Sequence, residues 1–252
     1  MNKTSPFWQA PENNKLPDFI ICGAMKSGTT SLHAMLNQHP DVFIPKKELH
    51  FFDCDNPLQH PDFNAYAKLQ WQSHSLNESN NNDYWLWYQQ QFASAEKTQV
   101  LGEDSTTYLA SPLAAKRIAQ QNKKIKLIVM LRQPSKRAYS NYWHLVRSGR
   151  AMHSFEDTLL VNPNSVLNRS LYLNQIESYL KYFPKEQIKF VVFEEFIKDK
   201  RIVLKELCEF IGVDYNTLPL SAENLHENKA TYPKYYKLQL LKNRVLPLAG
   251  NL

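Results

Sequence analysis

The segment Asp18–Thr30 constrains the fold of this chain more than any other part of the sequence. An apolar run, Phe19–Cys22, enters a short loop with Gly23 and Gly28, and a helix-like stretch follows. A strand, a glycine-containing loop and a helix N-terminus together bind phosphate-like oxyanions, because backbone N–H groups and the helix dipole point at one place. Lys26 adds a positive charge, and nearby hydroxyls add donors. We therefore predict a nucleotide-like ligand held by Lys26, Ser27, Gly28, Thr29 and Thr30.

The loop differs from the ATP-binding loop G-x-x-x-x-G-K-[ST] in the position of its lysine. Gly23 and Gly28 keep the spacing, but Thr29 follows the second glycine and the lysine lies inside the loop at Lys26. A later apolar strand ends in Arg132, where a kinase-type site would offer an Asp for Mg²⁺. We therefore expect a smaller anionic group, bound next to a lysine without a metal. The structural alternative is a glycine turn between a core strand and a core helix.

A second motif covers Lys126–Gly149. Leu127–Leu131 is continuously apolar, as expected for a parallel strand that is covered on both faces. Arg132 follows at the carboxyl end, where open α/β sheets bind their ligands. Pro134 suits the first turn of a helix, and Ser140 lies about two turns further along it. Arg132 and Ser140 are therefore candidates for binding a second phosphate, although an Arg after a strand is also a common surface ion-pair partner.

Together the two motifs resemble those of sulfotransferases that use 3′-phosphoadenosine-5′-phosphosulfate (PAPS). The Lys26–Thr30 loop resembles their 5′-phosphosulfate loop, and Arg132 with Ser140 resembles their 3′-phosphate clamp. The likeness is greatest to the glycan-modifying branch typified by heparan sulfate sulfotransferases. In particular, Pro45–Asp53 resembles the Lys-Glu-x-His-Phe-Phe segment of its O-sulfotransferases.

Two further segments resemble that branch more loosely. Gly102–Tyr108 is similar to a divergent Glu-Lys-[Ser/Thr]-Pro-x-Tyr segment, in which Asp104 and Thr106 replace the Lys and the Pro. Asn228–Pro233 resembles the late loop that closes over the adenosine 3′-phosphate, which adds Lys229 and Tyr232 to the nucleotide-binding candidates. The resemblance runs in order from residue 17 to residue 234.

The resemblance implies transfer of a sulfuryl group from PAPS to a hydroxyl or amine, with adenosine 3′,5′-bisphosphate (PAP) as the other product. Such an in-line displacement depends on positioning and charge stabilisation, by analogy with phosphoryl transfer. Lys26 suits stabilisation of the leaving phosphate, and Glu48 occupies the position of the family's catalytic base. His50 would lie on the same side as Glu48 in an extended segment, as an acceptor-positioning group or an alternative base. Lys46–Glu48 as a solvated turn, and His50 as a histidine at a core edge, are the structural alternatives.

Length and composition fit one globular unit. The chain has 252 residues and is 43% hydrophobic, so we predict a single domain over 1–252 with a flexible N-terminal segment over 1–16. The sequence lacks the roughly 18 uninterrupted apolar residues of a membrane span. Met1–Lys15 is polar and resembles neither a signal peptide nor an anchor, which predicts a soluble, cytoplasmic and bacterial enzyme. Cys22 and Cys208 lie in apolar patterns that predict buried free thiols.

The charge balance favours anionic ligands. Lysines and arginines exceed acidic residues by a formal net charge of +6. PAPS and an acidic glycan acceptor would both use this excess, whereas the basic residues are too scattered to predict nucleic-acid binding. The region from Arg147 to Arg169 is a candidate for a lip around the acceptor, as Arg147 and Arg150 near a Gly indicate. The expected acceptor is a saccharide or another small compound with a hydroxyl or amine.

The order of apolar segments predicts an α/β fold, a three-layer sandwich with a central, mostly parallel sheet and a P-loop-like nucleotide site. The predicted strands are Phe19–Cys22, Val100–Glu103, Ile125–Leu131 and Ile188–Phe193, and the predicted helices that follow strands include Thr29–Gln38, Pro134–Arg147 and Arg201–Ile211. Ser154–Asp157 resembles a capping box with Asp in place of Glu, which predicts a helix start.

The aromatic run before residue 93 is predicted to pack into the core through Trp85, Tyr88 and Phe92, while Trp71 and Trp87 are candidates for stacking on a sugar. Two other functions remain open. A small-molecule kinase would use the same type of phosphate-binding loop with another donor. A non-catalytic protein would bind the nucleotide without transferring a group.

Overall fold

The computed structural model describes residues 8–54, 81–121, 123–225 and 232–245. In this part of the chain, one parallel sheet has the strand order β2-β3-β1-β4-β5. The strands are β1 (Phe19–Gly23), β2 (Val42–Phe43), β3 (Val100–Asp104), β4 (Lys126–Leu131) and β5 (Ile188–Val192).

The register places the carboxyl ends of the central strands at one edge. Phe19 of β1 pairs with Gly102 of β3 on one side and with Lys126 of β4 on the other. A Cβ at Gly102 would lie 2.3 Å from the Phe19 ring, so this close approach requires a glycine. The loops that follow β1, β3 and β4 therefore meet at the same edge of the sheet, where ligands bind in open α/β folds.

Ten α-helices connect and flank these strands within the described residues. They are α1 (Thr29–Leu36), α2 (Asn81–Gln90), α3 (Ala114–Ala119), α4 (Pro134–Arg147), α5 (Phe155–Val161), α6 (Pro163–Val166), α7 (Tyr172–Leu180), α8 (Phe193–Lys198), α9 (Lys200–Ile211) and α10 (Tyr236–Val245).

Alternate residues of the central strands face two different hydrophobic cores. Ile20 and Leu127 pack with residues of α2, α3 and α7 on one face. Ile21 and Ile128 pack with residues of α1 and α9 on the other. Because side chains alternate along a strand, both faces of the sheet are covered by helices. This arrangement confirms the predicted three-layer α/β fold.

Most predicted helices and strands agree with the observed ones, apart from differences of a few residues at their ends. The predicted helix Pro134–Arg147 has the observed bounds, with Gln133 accepting a hydrogen bond from the Lys136 N–H as its N-cap. The predicted core positions Trp85, Tyr88 and Phe92 are all fully buried. The edge strand β2 and the helices α6, α7, α8 and α10 were not predicted; β2 and α6 are only two and four residues long.

The described part of the N-terminal segment 1–16 contacts the hydrophobic core through Trp8. Trp8 is 7% exposed and packs against the Phe51, Phe52 and Tyr84 rings. The Arg117 guanidinium lies 3.7 Å from the centroid of its ring. A large aromatic of this kind buries enough surface to attach the segment to the core at Trp8, while the flexibility of 1–16 stays a prediction. Residues 1–7 lie outside the described residues.

The remaining predictions on architecture have mixed outcomes. All three cysteines are free, and Cys22 and Cys208 are buried, which confirms that part of the prediction. Within the described ranges, no helix has the length and apolar character needed to cross a bilayer. The single domain over 1–252 stays a prediction, because residues 55–80 and 226–231 are not described.

Candidate active site

The loop between β1 and α1 forms a cradle at the carboxyl edge of the sheet. Lys26 has a φ of 70° and Gly28 a φ of 91°, two left-handed residues that turn the backbone sharply toward the start of α1. A Cβ at Gly28 would lie 2.7 Å from the Phe193 ring, so both the conformation and the packing favour glycine. Ser27 and Thr29 are buried, whereas Thr30 is exposed. The loop thus has the backbone geometry of an anion-binding concavity.

Lys26 lies among other cations. Burial, followed by the charge of Arg147, lowers the pKa of the Lys26 ammonium to about 8, while the Glu48 carboxylate acts in the opposite direction. Arg150 contributes a further lowering of the Lys26 pKa. An ammonium in this setting is desolvated and repelled by its neighbours, so an incoming anion would stabilise it.

Arg132 joins the second motif to the first. It follows β4, and its Nη1 donates to the Lys26 carbonyl at 3.2 Å. Its guanidinium lies 4.7 Å from the centroid of the Phe193 ring. The Arg132 Nε–H is buried and has no acceptor among the described residues. An anionic ligand would satisfy this donor, which is the fit that a phosphate group requires.

The other predicted nucleotide-binding residues are arranged around α4. Ser140 is half-buried on this helix. Tyr232 is 58% exposed, and its ring lies edge-on to Trp143 of α4 at a centroid distance of 5.2 Å. The structure therefore brings Tyr232 to the helix that carries Ser140. Lys229 lies outside the described residues.

Glu48 is oriented by the segment that follows β3. Its Oε2 accepts hydrogen bonds from the Thr106 backbone N–H at 3.1 Å and from Thr106 Oγ1 at 2.7 Å. The Glu48 side chain remains 34% exposed. These contacts fix the carboxylate at the side of the loop on which Lys26 lies, and they leave it accessible to a ligand. The solvated-turn interpretation of Lys46–Glu48 therefore does not describe Glu48.

His50 lies next to this carboxylate. Its Nε2 is 3.4 Å from Glu48 Oε2, and its Nδ1 is 2.9 Å from Thr107 Oγ1. The sequence analysis expected the two side chains to meet through an extended backbone. Instead, His50 has a left-handed φ of 50° and begins a 3₁₀ turn over Phe51–Asp53.

A further acidic residue comes close to this site from β3. Asp104 is 3% exposed, and its Oδ2 lies 3.3 Å from His33 Nδ1 of α1. Burial raises the pKa of the Asp104 carboxyl to about 6, and the hydrogen bond to His33 opposes that rise. The nearby Glu48 charge raises the Asp104 pKa further. The site therefore contains a buried Asp–His pair.

Several functional candidates escaped the sequence analysis. Thr106 and Thr107 were treated only as divergent positions of a motif, although they contact Glu48 and His50. His144 of α4 accepts a hydrogen bond from Arg150 Nη2 at 2.7 Å, as a neutral ring does. Burial, and then the charges of Lys26 and Arg147, lower the pKa of His144 to about 4. For His144, the signal available in the sequence was its position four residues after Ser140, one helical turn further along α4.

Comparison with known proteins agrees with this geometry. The family model described as "Sulfotransferase family" matches residues 17–217. The chain belongs to the sulfotransferase family. Heparan sulfate glucosamine 3-O-sulfotransferase 5 from Mus musculus is 29% identical over 212 residues, which cover 79% of this chain and 54% of that protein. The chain thus spans about half the length of this curated relative.

Solved structures show the same fold. A sulfotransferase from Alicyclobacillus acidocaldarius has 28% sequence identity and a TM-score of 0.65, with 92% of this chain and 96% of that chain covered. A mouse sulfotransferase, SULT7A1, solved in complex with PAP, has 15% identity and a TM-score of 0.51, with 94% and 78% covered. The second likeness supports the fold alone.

Proposed function

We propose that this member of the sulfotransferase family transfers a sulfuryl group from PAPS to a hydroxyl or amine of a saccharide or glycoconjugate. The observation that carries the proposal is the meeting of Lys26 and Glu48. These residues come from separate segments, and the Glu48 carboxylate is near enough to raise the pKa of the Lys26 ammonium. We therefore assign the Lys26 ammonium to the donor and the Glu48 carboxylate, as the base, to the acceptor.

The reaction follows from the placement of these two groups. The acceptor oxygen or nitrogen forms a bond to sulfur as the bond between sulfur and the bridging oxygen breaks. Glu48 takes the acceptor proton, and the electron pair of the broken bond remains on the 5′-phosphate of PAP. Lys26 stabilises the negative charge that develops there, where a preorganised cation has its greatest effect. His50 Nε2 lies 3.4 Å from Glu48 Oε2, and we assign His50 the role of positioning the acceptor.

A second group of residues, around Arg132, is available for the other phosphate of the donor. Arg132 offers a buried Nε–H that lacks an acceptor among the described residues, and Ser140 and Tyr232 lie on or against α4. We assign these three residues, with Lys229, to the 3′-phosphate of PAPS. Ser27, Gly28, Thr29 and Thr30 would hold the 5′-phosphosulfate with Lys26.

The acceptor class rests on the relatives and on charge. The curated relative named above acts on heparan sulfate glucosamine. In this chain, Arg147 and Arg150 are close enough to Lys26 to lower the pKa of its ammonium. Two further cations therefore lie near the loop. A saccharide with carboxylate or sulfate groups would be attracted to these cations. Trp87 packs on Tyr84 at 6.1 Å, so its stacking on a sugar stays a prediction.

A transfer assay with labelled PAPS tests the proposal. The acceptors are a panel of heparan-type saccharides, neutral glycans and phenols, and calorimetry with PAP measures the donor site separately. We expect label on at least one saccharide and a fall in kcat of about 10²–10⁴-fold in Glu48→Gln, with PAP affinity retained. Glu195→Gln, at an exposed position of α8, is the matched control.

Two outcomes would contradict this function. Turnover of ATP with Mg²⁺ and absence of PAP binding would indicate a kinase. Tight binding of PAP without transfer to any acceptor would indicate a nucleotide-binding protein that has lost catalysis.

A further inference from the structure

A fully buried carboxylate lies next to the segment Glu48–Phe52, called the catalytic segment after the proposed role of Glu48. Glu103, on β3, is 0% exposed. Its Oε1 accepts hydrogen bonds from the Ser105 hydroxyl at 2.8 Å and from the Tyr108 hydroxyl at 2.5 Å. Its Oε2 accepts from the Tyr88 hydroxyl of α2. A buried carboxylate is costly unless it is hydrogen-bonded, and three donors meet that requirement here.

Two of these three hydroxyls also hold the backbone of the catalytic segment. Ser105 Oγ accepts from the backbone N–H groups of Leu49 at 3.2 Å and His50 at 3.0 Å. The Tyr108 hydroxyl accepts from the Phe52 N–H at 3.0 Å. Within the described residues, the third hydroxyl, that of Tyr88, makes no hydrogen bond to this backbone, although the Tyr88 ring packs against Phe51.

The direction of these bonds follows from proton counting. A hydroxyl has one proton to donate and two lone pairs that accept. Because Glu103 takes the protons of Ser105 and Tyr108, their lone pairs are turned toward the segment Leu49–Phe52. A protonated carboxyl or an amide at position 103 would accept fewer of these bonds, so the acceptors of three backbone N–H groups would no longer be fixed in direction.

We propose that Glu103 is a positioning residue for sulfuryl transfer, which holds Glu48 and His50 in place through the hydroxyls of Ser105 and Tyr108. The proposal rests on the function proposed above, because it takes Glu48 and His50 as the groups that need positioning. Glu103 itself does not touch the ligand space, since it is fully buried.

The proposal implies a pH dependence. Burial raises the pKa of the Glu103 carboxyl to about 7, while the hydrogen bonds from Tyr108, Tyr88 and Ser105 oppose the rise and Asp53 adds to it. The other groups that face this carboxylate are the Cys22 thiol and the phenols of Tyr88, Tyr108 and Tyr179. Burial raises the pKa of each of them well above its ordinary value, so they are neutral at pH 7. As pH falls through about 7, Glu103 gains a proton, becomes a donor itself and accepts fewer of the three bonds.

A pair of single-atom deletions separates positioning from general stability. Ser105→Ala and Tyr88→Phe each remove one hydrogen bond to Glu103, but only Ser105 also holds the catalytic segment. We expect kcat to fall about tenfold in Ser105→Ala and less than twofold in Tyr88→Phe, with similar losses of thermal stability. KM for the acceptor and the affinity for PAP should remain near the wild-type values. Ser105→Cys, which has nearly the same volume and a weak acceptor, replaces Ser105→Ala if that variant does not fold.

Hydrogen–deuterium exchange provides a readout that needs no turnover. In Ser105→Ala, the Leu49 and His50 amides should exchange at least tenfold faster, while the Phe52 amide stays protected by Tyr108. If the wild-type protein transfers no sulfate, the proposed function fails, but this exchange pattern still decides whether the network holds the segment. Unchanged exchange of Leu49 and His50 would overturn the positioning role.

The pH profile completes the test. In Glu103→Gln, the decline of kcat toward acid pH that is centred near 7 should disappear or shift by about one pH unit or more. A profile with the same acid limb as the wild-type protein, or equal kcat losses in Ser105→Ala and Tyr88→Phe, would show that Glu103 contributes to folding only.

Discussion

The phosphate loop and the catalytic segment lie side by side in the site but are held in different ways. The loop is framed by its own neighbours, β1 before it and α1 after it, and its shape depends on the left-handed Lys26 and Gly28. The segment Glu48–Phe52 belongs to no strand or α-helix. The Glu48 carboxylate and the backbone N–H groups of Leu49, His50 and Phe52 are hydrogen-bonded to residues 55 to 58 positions later in the chain.

This difference separates two kinds of functional dependence. Under the proposed function, a change in the loop acts on ligand binding directly, because the cation and the backbone donors would contact the ligand. The catalytic segment, by contrast, responds to residues that never reach the ligand, such as Ser105, which is fully buried. The following predictions test this contrast.

The largest effect is expected from removal of the loop cation. Lys26→Met should lower kcat about 10²–10³-fold, the usual loss when one preorganised group that stabilises transition-state charge is deleted. PAP affinity should fall as well, since the same ammonium faces the donor phosphate. Transfer kinetics and calorimetry measure the two losses.

The control for this variant is Lys181→Met, an exposed lysine just after α7. It should keep both activity and affinity. Retained PAP binding in Lys26→Met would instead place the ammonium outside the donor site.

The loop should also show a pH dependence of ligand binding. Burial and Arg147 lower the pKa of Lys26 to about 8, so the ammonium is present below that pH and lost above it. PAP affinity should therefore decline by up to tenfold per unit as pH rises above 8, because the anion binds the charged form. Calorimetry over the range from pH 6.5 to about 10 would reveal the decline, and Lys26→Met should lack it.

A smaller effect is expected where the catalytic segment meets the residues after β3. Thr106→Ala removes the 2.7 Å hydrogen bond to Glu48 and keeps the one from the backbone N–H. One bond to a charged acceptor contributes about 1.5–3 kcal/mol, so kcat should fall about 10–100-fold without a change in PAP affinity. Thr106→Ser keeps the hydroxyl and should retain most of the rate. Equal losses in both variants would mean that the lost methyl contacts, and not this hydrogen bond, control Glu48.

The smallest effect is expected at a feature that depends on local sequence alone. Ser154 caps α5, accepting from the Asp157 N–H at 3.1 Å and donating to its Oδ2 at 2.9 Å. Ser154→Ala should lower the free energy of unfolding by about 1 kcal/mol, the usual contribution of an N-cap, with kcat unchanged. Denaturant unfolding measures this change. A kcat loss comparable to that of Thr106→Ala would connect α5 to the site and remove the contrast between the two regions.

The sequence determined those parts whose geometry is local. Apolar runs predicted four of the five strands, and Gly23, Lys26 and Gly28 predicted the loop, because a strand, a tight turn and a helix start leave their pattern in consecutive residues. The N-cap of α5 was equally visible. The resemblance placed Glu48 and His50 near the loop but did not supply the backbone of that segment, which is left-handed at His50.

Only the tertiary structure decided how the catalytic segment is held and what surrounds the cation. The contacts of Glu48 with Thr106, and of Leu49 with Ser105, join positions more than fifty residues apart. No local sequence pattern predicts that these residues meet. The placement of Arg147 and Arg150 beside Lys26 likewise depends on how α4 lies against the loop. Electrostatics and hydrogen bonding act through space, so their effect on Lys26 and Glu48 appears once the chain has brought these groups together.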